Sequence, residues 1–172
     1  MSAPLNLLEV LAEVPDPRHP KGVRHPLAAV LSLAVLAMLT GAKSYTAIAQ
    51  FGRDKGFALA WALGFNRGKT PTKSTLSVLF RALDVAAFEA ALSRWAASRL
   101  PEGDGPHYRR DVTLGGDHSR TREGDAPQVM AAMRNGVIGL LGGMKQGPAS
   151  AIRRMGNCLD QALHLLGLPQ LE

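Results

Sequence analysis

The sequence contains a single cysteine, Cys158, among its 172 residues. One thiol excludes an internal disulfide framework and any metal site built from several cysteines, and this usage is typical of a reducing cytosol. Aromatic residues are also scarce, at 5% of the chain, although hydrophobic residues reach 46%. Leucine and alanine must therefore fill the core of a globular domain. We expect Cys158 to be a buried thiol because the pattern around it is apolar and helical.

The chain also lacks a hydrophobic run that is long enough to cross a bilayer. Its most apolar uncharged stretch, residues 27–42, covers 16 residues, whereas a spanning helix needs about 20. The stretch follows Pro26 and ends near Gly41, which is typical of a helix buried in a protein core. It lies behind a proline-rich segment, so it does not resemble a secretory signal. We therefore expect a cytoplasmic protein without a membrane partner.

Acidic residues are nearly absent from residues 43–81, where Asp54 alone faces seven lysines and arginines. The rest of the chain is electrically neutral, so this stretch carries the whole net charge of +6. A local positive surface indicates a polyanionic partner, with nucleic acid as the first candidate. An ordinary solvated basic face is the alternative that composition leaves open.

Helical periodicity runs through most of the sequence and predicts an all-α fold. We expect five to six helices in the first 100 residues, and two to three more after Pro127. The spacing predicts a short helix over residues 43–51 that Gly52 ends, and a second one over residues 56–64. A helix over about residues 72–83 follows; hydroxyl residues at its start can cap it, and Leu76, Leu79, Phe80 and Leu83 form its apolar face. Asp84 is the predicted N-cap of the next helix, because short polar side chains bond free amides at helix starts. Val85, Phe88, Leu92 and Trp95 form the apolar face of that helix.

Two of these helices flank the polar turn "NRGKTPTKS", a pattern typical of DNA-reading units. In helix-turn-helix proteins the N-terminal residues of the second helix face the bases, and lysines and hydroxyls there suit phosphate oxygens. The connection is longer than in the compact motif, and a capped helix with a soluble outer face is the alternative. The predicted DNA-binding residues are Lys43, Lys55, Arg67, Lys69, Thr72, Lys73, Ser74 and Arg81.

Patterns for catalysis and metal binding are missing. Two-metal phosphoryl transfer needs carboxylates that converge on ions roughly 4 Å apart. The only dense acidic cluster, residues 102–125, alternates with arginine and glycine and has no regular framework. His107 and His118 within it form a weak metal signal. We therefore predict no catalytic residue, no metal site and no cofactor for this chain.

Two blocks of the sequence, one from "DPRHPKGVRHPL" to "EAALSRW" and a later one that begins "HYRRDVTLGGDHSR", resemble bacterial insertion-sequence DDE transposases of the H-repeat-associated type. "DPRHPKGVRHPLAAVLSLAVLAMLTGAKSYTAIAQFGRD" and the later "TPTKSTLSVLFRALDVAAFEAALSRW" are similar to the amino-terminal helical domain of that family. "HYRRDVTLGGDHSRTREGDAPQVMAAMRNGVIGLL" is similar to its extreme carboxy terminus. The resemblance implies DNA binding in transposition. The expected partners are DNA, including transposon ends, and a second copy of this chain or a full-length transposase.

Between such blocks the family carries an RNase H-like core with three catalytic carboxylates, and Mg²⁺ is implied for intact members. No "IDGK" or "IEN" setting occurs in this sequence, and Glu102 lies one place away from the position four residues before His107. The resemblance therefore implies an internal deletion near residues 99–107 and the loss of strand cleavage and joining. The expected segments are a helical domain (1–100), a deletion seam with an extended arm (101–126) and a carboxy-terminal helical remnant (127–172).

Two further interpretations stay open at this point. The chain could be a non-enzymatic helical module that binds DNA or inhibits full-length transposase, or a decayed gene product without activity. Gly136 and Gly139 in the last long helix favour decay, because each costs about 1 kcal/mol relative to alanine. Loss of a catalytic core also exposes the surfaces that packed on it. We expect Leu140, Leu141 and Leu166 to be stranded in this way, and the chain to aggregate or oligomerise.

Overall fold

The computed structural model describes residues 5–99, 126–142 and 147–171. Across these ranges the regular structure is helical and contains no strand, which confirms the predicted all-α class. The predicted deletion seam and extended arm lie almost wholly in residues 100–125, outside the described ranges. The helices are α1 (Leu7–Leu11), a short 3-10 helix (Pro20–Gly22), α2 (Leu27–Leu39), α3 (Tyr45–Leu63), α4 (Lys73–Ala82), α5 (Val85–Arg99), α6 (Ala126–Gly142), α7 (Pro148–Asn157) and α8 (Leu159–Leu166).

Helix α2 is apolar around its whole circumference, and every residue of it except Ala28 is buried. The helices α1, α3, α6, α7 and α8 all pack against it. A charged side chain on any face of α2 would lose its water without gaining a partner, which explains the uncharged stretch in the sequence. The prediction of a buried core helix is confirmed. In the part of the chain that the structure describes, no helix combines the length and apolar character that a bilayer crossing requires.

Helix α3 contains the two helices that the glycine spacing predicts, but they join at Gly56 and the first of them does not end at Gly52. The chain stays helical through Gly52 and breaks at Gly56, whose φ of 73° and ψ of −158° are not helical. Glycine adopts a positive φ at little cost, so the break falls there. Gly52 is instead a buried helical position. The prediction that Gly52 ends a helix was wrong, because this glycine provides space for a neighbouring segment.

Side-chain caps begin α4 and α5 where the sequence predicts them. The Thr75 amide donates to Thr72 Oγ1 at 3.3 Å, and the Ala87 amide donates to Asp84 Oδ1 at 3.1 Å. Each cap satisfies one of the amides that a helix start leaves without an intrahelical partner. The predicted inner faces are buried except at Val85, which is half-buried. The buried residues are Leu76, Leu79, Phe80 and Leu83 at α4, and Phe88, Leu92 and Trp95 in α5.

The carboxy-terminal helices complete the same core. Leu141 and Leu166 are both 0% exposed, so the prediction that they form stranded apolar surface was wrong. Helix α6 packs across α2, α4 and α5, and α8 packs on α2 and α7, so helices of this chain cover both leucines. The side chain of Leu140 is outside the described set. Cys158 is only half-buried, at the junction of α7 and α8.

Ser32 in α2 is a buried polar side chain whose hydroxyl has no hydrogen-bond partner. Ser32→Ala removes this unsatisfied group and improves helix propensity, so we expect the free energy of unfolding to rise by about 1 kcal/mol. Urea denaturation measures the change. The neighbouring Leu31→Ala opens a cavity and should lower the same quantity by about 2–5 kcal/mol. A destabilised Ser32→Ala protein would mean that the hydroxyl is bonded in solution.

Candidate nucleic-acid interface

The segment between α3 and α4, residues 64–72, is called the α3–α4 loop below. Helix α3 ends at Leu63, and the Phe65 amide donates to the Ala60 carbonyl oxygen at 2.9 Å across the turn at Gly64. This bond satisfies a carbonyl that the helix end leaves free. The Phe65 side chain is fully buried. The loop is therefore anchored in the core at its first side chain.

Two close contacts hold the rest of the loop against α3. A Cβ atom at Gly52 would lie 2.7 Å from Thr70 Oγ1, a separation that real side chains do not tolerate. Gly68 packs directly on the Phe57 ring, so that a Cβ atom there would overlap the ring. Arg67 and Lys69 flank Gly68 in the sequence, and these contacts therefore fix both of them beside the second half of α3.

The predicted DNA-binding residues of the loop and α4 form one run of exposed polar side chains. The inner face of α4 is buried, so positions 73, 74, 77, 78 and 81 share its outer face at helical spacing. Val78 lies on that outer face and is 68% exposed. The exposed members of the run are Arg67, Lys69, Thr72, Lys73, Ser74 and Arg81.

The other two predicted residues lie on different elements. Lys43 is exposed just before α3. The Lys55 ammonium lies over the Phe51 ring, 5.6 Å from its centroid. The structure therefore does not place Lys43 or Lys55 on the outer face of α4.

Among the described residues, no carboxylate forms an ion pair with the α3–α4 loop or with α4. The ion pairs there join Arg18 to Asp16 and Arg94 to Glu13, and they involve neither element. Asp54 is the only acid in residues 43–81, and its Oδ1 accepts from a glutamine amide of α3 at 2.6 Å. Uncompensated cations on a rigid surface attract polyanions.

The proline-rich segment before α2 adds to this surface, which the sequence reasoning missed. The His25 ring meets the Phe65 ring edge-on with 5.6 Å between centroids, so the segment lies against the start of the α3–α4 loop. Partial burial lowers the pKa of His25, and the charges of Arg18, Arg24 and Arg67 lower it further. Arg24 and Arg67 therefore act on one imidazole although they are distant in sequence.

The net charge of residues 1–42 conceals the contribution of this segment to the positive surface. Residues 1–42 are neutral in total, but Glu13 is paired with Arg94 of α5 and Asp16 is paired with Arg18. The side-chain hydrogen bond from Arg18 lowers the pKa of Asp16. Arg24 has no such partner among the described residues. The basic residues of "PRHPKGVRHP", counted apart from the acids that precede them in the sequence, were the available signal.

Metal ligation is a separate question. In residues 5–99, 126–142 and 147–171, no three His, Cys, Asp or Glu side chains are grouped to hold an ion. The acidic cluster at 102–125, with His107 and His118, lies outside these ranges.

The lowered pKa of His25 makes stability depend on pH. Because the folded pKa is below the ordinary value of 6.5, the unfolded chain binds the proton more readily. The stabilisation is complete above pH 6.5 and is lost as the pH falls from there through the folded pKa. Urea unfolding between neutral and mildly acidic pH should show a steeper loss for wild type than for His25→Gln. Parallel pH profiles of the two proteins would contradict this assignment.

The contact between Gly52 and Thr70 is also testable. Gly52→Ala must push the α3–α4 loop away from α3, so we expect the free energy of unfolding to fall by about 1–3 kcal/mol. Gly136→Ala in α6 is the matched control, because its Cβ would lie 3.6 Å from Leu92, an ordinary contact. Better helix propensity should raise the stability of that control by up to about 1 kcal/mol. Equal effects of the two substitutions would argue against a close-packed loop.

Residues 8–96 match the family model described as DDE_Tnp_1-associated. The match covers just over half of the chain and runs from α1 through most of α5. It therefore includes the α3–α4 loop, α4 and the proline-rich segment.

Individual relatives extend the comparison. The "Uncharacterized protein in dhlA 3'region" of Xanthobacter autotrophicus is 38% identical over 92 residues, which are 53% of this chain and 31% of that protein. "Putative transposase YncI" of Escherichia coli K12 is 28% identical over 136 residues, 77% of this chain and 54% of that protein. Its namesake in strain O157:H7 is 28% identical over 168 residues, 94% and 42% of the two chains. The chain spans about half the length of these relatives or less. None of the solved protein structures is significantly similar to it.

Proposed function

The chain belongs to the DDE_Tnp_1-associated family, and from this premise we propose that it binds DNA in the context of transposition. Its similarity to two proteins named as transposases supports that context. In this proposal the α3–α4 loop and the outer face of α4 contact the DNA.

One observation carries the proposal: exposed cations without carboxylate partners surround the capped start of α4. Lys69 and Lys73 lie on either side of Thr72, whose hydroxyl already accepts from the Thr75 amide. The remaining free amides and the helix dipole give this end of α4 a partial positive charge. A phosphate placed there would meet the positive end of a helix that begins at Lys73, and the loop that leads into this helix carries Lys69.

The outer face of α4 supplies the groups that could read bases. Ser74, Ser77, Val78 and Arg81 follow one another along it at helical spacing. Arginine and hydroxyl groups can bond base edges in the major groove, and an apolar side chain can contact the thymine methyl group. Val78, exposed among polar neighbours, fits the last of these roles. Phosphate contacts from the loop would then set the register of α4 on the duplex.

We also infer that this chain binds DNA without cutting or joining it. The inference rests on the sequence, in which blocks that resemble both ends of a DDE transposase occur without an "IDGK" or "IEN" setting between them. An internal deletion of the catalytic core accounts for that arrangement. What is left is a binding module that could occupy transposon ends.

Fluorescence anisotropy on random duplex DNA tests the proposal. Wild type should bind with a log–log salt slope of about −3 to −6, which corresponds to several phosphate contacts. Lys69→Ala/Lys73→Ala removes two of them, so affinity should fall similarly for all sequences and the slope should shrink by about two units.

Arg153→Ala/Arg154→Ala is the matched control. It removes the same charge from exposed positions on α7, a helix that packs on α2, α6 and α8. Its slope should stay close to that of wild type. If both double variants changed the slope equally, binding would follow net charge and not the α3–α4 loop. A folded wild-type protein that did not bind even at low salt would overturn the proposal.

A further inference from the structure

Two aromatic side chains stand exposed on the second half of α3. Phe57 is 64% exposed and Trp61 is 50% exposed. Their rings meet edge to face, with 5.5 Å between centroids and 70° between planes. The two residues are one helical turn apart, and below we call them the aromatic pair. Exposing two large rings forfeits the favourable free energy of burying them, and the core does not require their outward position.

The helix segment that carries the aromatic pair is firmly held. Leu59, Ala60 and Leu63 on its other face are each at most 1% exposed. Gly56 breaks α3 immediately before Phe57, so this segment takes a direction of its own. The rings therefore project from a fixed surface and lose little conformational freedom when they meet a partner.

Cations border the aromatic pair. The Phe57 ring packs against Gly68, whose neighbours in the chain are the exposed Arg67 and Lys69. The pair thus adjoins the positively charged part of the α3–α4 loop. Asp54, the nearest acid along α3, has its carboxylate bonded to Gln50.

The chemistry of this surface favours an unpaired nucleic-acid strand over an apolar protein surface. Bases stack on aromatic rings while nearby cations follow the phosphates, a combination that recurs in proteins that bind single strands. An apolar protein surface would have to desolvate Arg67 and Lys69 without pairing them, which is costly. Charge complementarity therefore favours a polyanionic strand over an apolar protein surface as the partner.

We propose that Phe57 and Trp61 stack on unpaired bases of a DNA strand that leaves the duplex held by the α3–α4 loop and α4. The inference rests on the proposed function, since the loop has to hold that duplex. It assigns to this chain a preference for DNA ends or junctions with unpaired nucleotides. Stacking does not depend on base identity, so the preference should be nearly independent of the sequence of the tail.

The two tryptophans of the chain provide the readout. Trp95 is 2% exposed in the core, whereas Trp61 is half exposed, so DNA quenching of tryptophan emission would report on Trp61. The probes are a blunt duplex, the same duplex with an unpaired tail of about four nucleotides, and the free single strand. We expect the tailed duplex to quench the emission and to bind about fivefold tighter than the blunt duplex, or more.

Variants separate stacking from general binding. Trp61→Ala should abolish the advantage of the tailed duplex over the blunt duplex, and Trp61→Phe should restore much of that advantage because a ring is retained. Ile138→Ala removes another exposed apolar side chain, on α6, and should change neither affinity. Lys69→Ala/Lys73→Ala should weaken binding to both the blunt and the tailed duplex.

The failures are distinguishable. Equal affinity for blunt and tailed DNA without quenching would overturn the stacking proposal and keep the proposed function. Absence of binding to every probe would overturn both. If Trp61→Ala changed the oligomeric state in sedimentation but not the tail preference, the aromatic pair would be a protein interface, and the stacking proposal would again fail.

Discussion

Exposing any face of helix α2 to water would be unfavourable, so the other helices have to pack around it. Its residues are apolar on every side, so α1, α3, α6, α7 and α8 lie against it. Burial of such a helix supplies much of the apolar area removed from water on folding. It also confines charge to the elements that face outward. The charges of residues 43–81 accordingly lie on α3, its loop and α4, which form part of the outer layer.

The candidate interface depends on the same packing. Phe65 reaches into the core from the start of the α3–α4 loop, and Gly52 allows Thr70 to lie against α3. These contacts turn a polar, glycine-containing segment into a fixed surface. Cations held in place lose less conformational entropy on binding than cations on a free loop. The aromatic pair extends that surface along α3, and the segment before α2 adds Arg24 through its contact with Phe65.

Features that depend on residues close together in the sequence could be predicted from it. The buried α2, the caps at Thr72 and Asp84, and the inner faces of α4 and α5 all follow from local spacing. Contacts between segments that are distant in the sequence could not be predicted. Gly52 resembles a helix end until Thr70 is placed beside it, and the neutral total of residues 1–42 conceals Arg24. The expectation for Leu141 and Leu166 failed for a similar reason, because α2, which packs against the helices of both leucines, is distant from them in the sequence.

The central claim is that DNA meets this chain at the α3–α4 loop and the start of α4. Hydrogen–deuterium exchange of the chain, with and without saturating blunt duplex at low salt, tests it most directly. The account predicts added protection of amides in residues 65–76, with the amides of α7 and α8 unchanged. Protection confined to α7 and α8, or bound DNA that leaves residues 65–76 unprotected, would contradict it.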